Sequence, residues 1–181
     1  RGAGHNNWRQ IKILERETFT KCDALVVVSK RMKNYIQYEF RVSPSKITVA
    51  PNGSLTQYPT AQYKSPLKAI YAGNFSYWEK VHDFLEIAKR AHLNIRFYLA
   101  GDGPLKKQLL ERIKKEGIPV TYLGYIPRQK IYSILAKMQI GIAPSTKDLA
   151  RVVASPIKVF DYMASGLPVV TPKIGDWGDL I

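Results

Sequence analysis

Short apolar runs alternate with amphipathic stretches of helical length from about residue 67 onward, and this alternation constrains the fold most strongly. Strands are predicted at 67–73, 95–101, 120–125, 140–145 and 168–171. Apolar residues spaced by three and four predict helices at 81–93, 105–117, 129–138 and 155–166. Strands that alternate with helices of this length are typical of a parallel sheet with helices on both faces. We therefore predict an α/β, Rossmann-like domain with five parallel strands.

The first 66 residues carry shorter units of the same kind. Helices are predicted at 8–21 and 30–40, and strands at 24–29 and 46–50. The turn at 51–53 is followed by a polar stretch with two prolines, which reads as a linker. We expect a domain fragment over 1–53, a linker over 54–66 and a second α/β domain over 67–181. Because the chain starts with Arg and stops shortly after a strand-like run, we expect it to be a piece of a longer protein, with the second domain truncated.

The charge balance narrows the class of ligand. The chain has 28 Lys and Arg against 14 Asp and Glu, a net charge of +14, which attracts phosphorylated ligands, anionic lipid or nucleic acid. Because no basic and aromatic cluster typical of nucleic-acid binding is present, we expect no nucleic-acid partner.

The sequence has neither a membrane-spanning run nor a His, Cys and Asp pattern of metal-ligand spacing. The single cysteine, Cys22, fits a cytoplasmic protein, and we expect no metal or other cofactor.

The segment SPIKVFDYMASG at 155–166 raises a question of charge placement. Ser155 and Pro156 favour a helix start and Gly166 favours its end, yet the first turn carries Lys158 and no acid. A helix N-terminus is already partly positive, so an anion such as phosphate is expected between the two. Asp161 follows about 7.5 Å beyond Pro156 along the axis, about the span from a diphosphate to its ribose. The simpler alternative is an exposed Lys158–Asp161 ion pair, worth at most roughly 0.5 kcal/mol.

Other polar or glycine-containing segments follow predicted strands, where ligands of open parallel sheets bind. The candidates in these segments are Gly73, Asn74, Lys80, Gly101, Gly103, Lys147 and Arg151. Each segment alone is a weak signal, since a turn such as GDGP at 101–104 is often only a loop.

Taken in order, the segments resemble the retaining glycosyltransferases of family 4, which have the GT-B fold of two Rossmann-like domains facing across a cleft. The likeness rests on CDALVVVSKRMKNYI, ITVAPNG, YAGNFSYWEK, YLAGDGPLKKQL, VTYLGYIP, IGIAPS and SPIKVFDYMASGLPVV. It implies that 1–53 ends the N-terminal, acceptor-side domain. It also implies that 67–181 holds the nucleotide sugar.

The resemblance assigns roles to individual residues. Asp161 stands where the family has a ribose-binding acid, and the backbone at 155–157 (Ser155, Pro156 and Ile157) meets the diphosphate. The glycine-rich turn corresponds to Gly73 and Asn74, followed by a phosphate-binding lysine for which Lys80 is the candidate.

The chain also departs from the family pattern. Asn74 replaces a basic residue, and Glu79 competes with Lys80 for the aligned place, so Lys158, Lys147 or Arg151 is expected to compensate. Val153 replaces the first acid of a paired motif, and the catalytic residues stay unassigned. Asp148 could substitute for that acid, although a solvated loop acid is the simpler interpretation.

The resemblance implies transfer of a hexosyl-type sugar, with retention and without a metal, from a UDP- or GDP-linked donor to a glycan or polyprenyl-linked acceptor. It places the protein in the cytoplasm, with peripheral association at the anionic inner face of the membrane. This chain alone would hold the donor and be inactive. The alternatives are a catalytically degenerate GT-B domain kept as a binding or scaffold subunit, and a nucleotide-sugar epimerase of the same fold. A phosphorylase should carry a pyridoxal-binding lysine motif, which the sequence lacks.

Overall fold

The computed structural model describes residues 3–54, 65–91 and 94–181, with side chains from residue 9 onward. The predicted linker at 54–66 falls mostly outside the described residues, as does the predicted C-terminal end of the helix at 81–93. No helix in the described part of the chain is long and apolar enough to cross a membrane.

The secondary structure follows the predicted order. The strands are β1 (Leu25–Val27), β2 (Ile47–Val49), β3 (Leu67–Asn74), β4 (Ile95–Asp102), β5 (Val120–Gly124), β6 (Ile140–Ile142) and β7 (Val169–Val170). The α-helices are α1 (Ala3–Lys21), α2 (Lys30–Phe40), α3 (Val81–Arg90), α4 (Lys106–Glu116), α5 (Arg128–Leu135), α6 (Leu149–Val152) and α7 (Ile157–Ala164). Short 3₁₀ turns lie at Pro44–Lys46, Tyr77–Glu79 and Trp177–Asp179.

Strands β3 to β7 form one parallel sheet in the order β5-β4-β3-β6-β7, which confirms the predicted five-stranded parallel sheet. The chain runs outward through β3, β4 and β5, then returns to the other side of β3 for β6 and β7. The strand order therefore reverses at β3, the position where open α/β sheets bind ligands. Strands β3 and β4 pair in register to their last residues, with Asn74 opposite Asp102.

Alternating residues of β3 build a core on each face of the sheet, as strand geometry requires. Tyr71 belongs to the core that includes α3 and α4 residues such as Leu85 and Leu109. Ile70 belongs to the opposite core, which includes α5 and α7 residues. Helices thus cover both faces, as the sequence predicts.

Strands β1 and β2 form a separate parallel pair that packs with α2 around a core including Val27, Ile36 and Phe40. Hydrogen bonds at the start of α2 join this smaller unit to the larger one. The Ser29 hydroxyl accepts from the Met32 N–H at 2.9 Å, capping α2, and donates to the Val153 carbonyl at 2.6 Å. The Asp176 carboxylate accepts from the first N–H groups of α2, so a residue of the larger unit also caps this helix.

Two differences from the predicted elements have identifiable reasons. Helix α7 begins at Ile157, with Pro156 in the N-cap position, because the Ser155 hydroxyl accepts from the Asn52 N–H at 3.2 Å instead of capping the helix. Helix α6 was not predicted because its four residues are too few to show a hydrophobic period. The predicted end of α7 is confirmed, since Gly166 adopts a φ of 71° just past the helix.

The ends of β3 and β4 approach each other so closely that one position admits only glycine. Gly101 has a φ of 138°, and a Cβ there would lie 1.9 Å from the carbonyl oxygen of Gly73. Gly117, past the end of α4, has a φ of 61° but nothing within 4 Å of its Cβ position. A side chain at Gly117 would therefore meet backbone strain alone, whereas a side chain at Gly101 would meet both backbone strain and a steric clash.

We predict that Gly101→Ala lowers the free energy of unfolding by about 3 kcal/mol or more, because overpacking adds to the strain of positive φ. Gly117→Ala, the matched control, should lose only about 1 kcal/mol through strain alone. Urea denaturation followed by circular dichroism measures both. Equal losses for the two variants would contradict the close approach at Gly101.

Candidate functional site

A cavity of about 900 Å³ opens at the C-terminal ends of β3 and β4, beside the start of α7. Ten residues proposed from the sequence line it: Gly73, Asn74, Gly101, Gly103, Arg151, Ser155, Pro156, Ile157, Lys158 and Asp161. The topology explains their convergence, because the carboxyl ends of parallel strands meet at one edge of the sheet.

Lys80 and Lys147 lie elsewhere. Both border a second cavity of about 530 Å³, next to the ends of β6 and β7. Lys80 has a φ of 48°, and its ammonium lies 3.9 Å from the Asp83 carboxylate. The structure therefore does not bring these two lysines to the first cavity.

The carboxylate of Glu79 lies between two cations at one end of the first cavity. One of its oxygens accepts from Lys158 Nζ, and the other accepts from Arg151 Nη2 at 2.9 Å. Arg151 also donates to the Ser145 hydroxyl at 3.1 Å. The anion expected beside Lys158 is thus supplied by the protein itself, as the Glu79 carboxylate.

Lys158 is buried among aromatic and charged groups. Its ammonium donates to the Tyr71 hydroxyl at 3.0 Å and lies 4.5 Å from the centre of that ring. Burial lowers the pKa of Lys158, against the opposing effect of Glu79, and burial raises the pKa of Tyr71. Counting Arg151, the ionised cluster carries two positive charges and one negative, and this net charge of +1 favours an anionic ligand.

Asp161 marks the other end of the site. Its side chain is 6% exposed, and one oxygen accepts from the Ser54 hydroxyl at 2.7 Å and from the Tyr132 hydroxyl at 3.0 Å. Arg128 donates to both carboxylate oxygens, with Nη2 at 2.9 Å from Oδ1. In the described part of the chain, Lys158 and Asp161 thus pair with different partners, which excludes the simple ion pair between them.

The sequence interpretation missed Arg128, Tyr132, Asn52 and Ser54. Arg128 opens α5 and Tyr132 follows at i+4, so both side chains share one helix face. The predicted helix began at residue 129, which left Arg128 in a loop. The available signal was the polar segment that follows β5, a further strand end at the same edge of the sheet.

The segment at 52–54 connects the smaller unit to the site. The Asn52 side-chain amide donates to the Ser155 carbonyl at 2.6 Å, and the Asn52 N–H donates to the Ser155 hydroxyl. With Ser54 bonded to Asp161, this turn contacts both the start and the middle of α7. The segment at 52–54, which the sequence predicts only as a turn and the start of a linker, therefore helps to hold α7 in place at the site.

Two further side chains near the strand ends, Asp148 and Trp78, do not line the first cavity. Asp148 caps α6 by accepting from the Arg151 N–H at 3.1 Å, and a hydrogen bond from Thr146 lowers the pKa of Asp148. The Trp78 side chain is 52% exposed and lies outside the lining of the first cavity. Among the described residues, no group of three His, Cys, Asp or Glu side chains is arranged to hold a metal ion.

Comparison with known proteins matches almost the whole chain. The family described as "Glycosyl transferases group 1" matches residues 66–181, and the one described as "Glycosyltransferase Family 4" matches residues 2–56. A curated relative from Campylobacter jejuni is 27% identical over 136 residues, which cover 72% of this chain and 36% of that protein. It is named as an alpha-1,4-N-acetyl-D-galactosaminyltransferase that acts on a diNAcBac-PP-undecaprenol-linked glycan. This chain spans about a third of its length.

Solved structures share the fold at low sequence identity. Staphylococcus aureus TarM superposes with a TM-score of 0.73 and 16% identity, over 91% of this chain and 33% of that one. WaaG, described as a glycosyltransferase of lipopolysaccharide biosynthesis, gives 0.72 and 15%, over 97% and 51%. Anabaena HepE, solved with UDP-glucose, gives 0.70 and 17%, over 88% and 47%. With the strand order described above, the chain has the α/β architecture of the GT-B glycosyltransferases, and it belongs to the family of glycosyl transferases group 1.

Proposed function

We propose that this chain supplies the donor site of a retaining glycosyltransferase, which moves a hexosyl-type sugar from a nucleoside diphosphate to a glycan or lipid-linked acceptor. The observation that carries the proposal is the arrangement of the 900 Å³ cavity. The start of α7 lines this cavity, with Lys158 and Arg151 at one end and Asp161 at the other. These groups match the diphosphate and the ribose of a nucleotide sugar.

The diphosphate end rests on two sources of positive charge. The first N–H groups of α7, at Ile157 and Lys158, border the cavity and carry the partial charge of the helix dipole. Lys158 and Arg151 add full charges, which exceed that of Glu79 by one. As the glycosidic bond breaks, charge grows on the departing diphosphate, and fixed donors at this end stabilise it. We propose that these side chains, rather than a metal ion, provide that stabilisation.

The ribose end rests on the Asp161 carboxylate, which can accept hydrogen bonds from sugar hydroxyls. The lining of the cavity continues past Asp161 to Ile126 and Tyr125, beyond the end of β5. An apolar wall next to the ribose acid suits a nucleobase. We assign this part of the cavity to the base of the donor.

The relatives favour a particular nucleotide in the donor and a particular class of acceptor. HepE was solved with UDP-glucose and TarM with UDP, so we propose a UDP-linked donor. The Campylobacter relative acts on an undecaprenol-linked glycan, which favours a lipid-linked acceptor. A net charge of +14 would hold such an enzyme at an anionic membrane surface as a peripheral protein. The acceptor contacts would come from the part of the relatives that this chain does not cover, so we expect the chain alone to bind UDP without transferring sugar.

A binding or scaffold role without transfer is the second candidate. It is favoured by Val153, which occupies the position of a family acid and contributes its backbone carbonyl to Ser29. Both candidates predict donor binding. Turnover of a UDP-sugar by the full-length enzyme with a lipid-linked acceptor would separate them.

We predict that the chain binds UDP in calorimetric titration, more tightly than GDP or ADP, and that Asp161→Asn weakens UDP binding by up to about tenfold. The reason is the loss of charge-assisted hydrogen bonds to the ribose hydroxyls, a net loss of up to about 1.4 kcal/mol once the protein contacts that they replace are counted. Asp83→Asn, which removes an exposed carboxylate outside this cavity, is the matched control. Equal affinity for the three diphosphates, or equal UDP affinity in all variants, would contradict the donor site.

We predict that Lys158→Met reduces the preference for UDP over UMP by about tenfold, because the lost ammonium acts on phosphate. Lys147→Met removes the same charge from the second cavity and should leave that preference unchanged. Titration of both nucleotides into each variant gives the ratio. A similar fall in the two variants would assign the effect to overall charge rather than to the diphosphate end.

A further inference from the structure

Donors of the protein itself fill most of the acceptor positions of the Asp161 carboxylate. A carboxylate offers about four acceptor positions on two oxygens. Oδ1 accepts from Ser54, Arg128 and Tyr132 at 2.7, 2.9 and 3.0 Å, and Oδ2 accepts from Arg128 Nη1. A ribose presents two hydroxyl donors, for which Oδ1 has no room and Oδ2 has one remaining position. Binding of both ribose hydroxyls at Asp161 therefore requires one of the present donors to leave.

The three donors differ in how easily they can leave. Tyr132 is 5% exposed, and its hydroxyl lies 3.1 Å from the Ser54 hydroxyl, so these two groups support each other inside the protein. Ser54 is also held by the turn that Asn52 anchors to Ser155. Arg128 Nη2 also donates to the Tyr132 hydroxyl at 2.6 Å. Its side chain is nevertheless 53% exposed, at the first residue of α5, where a long flexible chain can return its guanidinium to water. Arg128 is thus the donor that a ligand displaces at least cost.

We propose that Arg128 occupies the ribose position on Asp161 in the free protein and that the ribose hydroxyls of the donor displace it. This inference rests on the proposed nucleotide-sugar site and assigns Arg128 as a specificity-determining residue within it. When the nucleotide leaves, Arg128 returns, so the buried acid is never left with unfilled acceptor positions. The hydroxyls then contribute only the difference between their own hydrogen bonds and those of the guanidinium.

A thermodynamic cycle between ligand and protein tests the displacement. The ligands are UDP and its 2′,3′-dideoxy analogue, and the proteins are the wild-type chain and Arg128→Ala. In the wild type, Arg128 remains on Asp161 when the analogue binds, so we expect the two dissociation constants to differ by less than about tenfold. In Arg128→Ala no side chain replaces the hydroxyls, and the ratio should grow by a further factor of about ten or more.

Lys130→Ala is the matched control, because it removes an exposed cation from the same helix and should keep the wild-type ratio. Arg128→Gln gives a second variant with a shorter, neutral side chain, for which we expect a ratio above that of the wild type. An unchanged ratio in both Arg128 variants would overturn the displacement, since ribose and Arg128 would then bind Asp161 together. A smaller ratio would also overturn it, by showing that Arg128 prepares Asp161 for ribose.

The same titrations separate this inference from the proposed function. UDP binding that depends on Asp161 but gives equal ratios in all proteins leaves the donor site intact and refutes the role of Arg128. Failure of the wild-type chain to bind UDP would refute the donor site and, with it, the displacement.

Discussion

The carboxylate of Glu79, held between Lys158 and Arg151, is the interaction on which the site depends. It joins the turn after β3 to α6 and to the first turn of α7, through partners that lie 72 and 79 residues further along the chain. Without this acid, two largely buried cations would face each other beside the partly positive end of a helix. Removing one partner of a buried ion pair costs about 3–5 kcal/mol, so the geometry of the diphosphate end follows from this carboxylate.

The same device recurs at the other end of the cavity, where Arg128 covers Asp161. Each charged group that we assign to the donor is thus paired with another group of the protein, which offsets the cost of burying charge in a polar cavity. The pairing also lowers the net gain on binding, because each new contact replaces an existing one. The two ends differ in this respect. In the proposed donor complex, the buried Glu79 keeps its two cations and the phosphate binds to their residual positive charge, whereas Arg128 is half-exposed and can withdraw.

The sequence is sufficient to predict the sheet because each apolar run has strand length and ends in glycine or polar residues. The same pattern places most of the site, since residues that follow parallel strands must converge. The sequence pattern does not reveal which charged side chains of the site pair with each other. Glu79 and Lys158 are 79 residues apart, and nothing local identifies them as partners. Lys80, one residue after Glu79, follows the chain into α3 with positive φ and turns away from the cavity.

The site is shared between the two units. Ser54 and Asn52 lie at the end of the smaller unit, yet they bond Asp161 and Ser155 of the larger one. Ser29 adds a hydrogen bond to the carbonyl of Val153, just before the segment that leads into α7. A shift of the smaller unit would therefore change the acceptor positions open on Asp161 and the position of the start of α7. Because the proposed nucleotide binding and the position of this unit act on the same hydrogen bonds, linkage requires that each influence the other to the same extent.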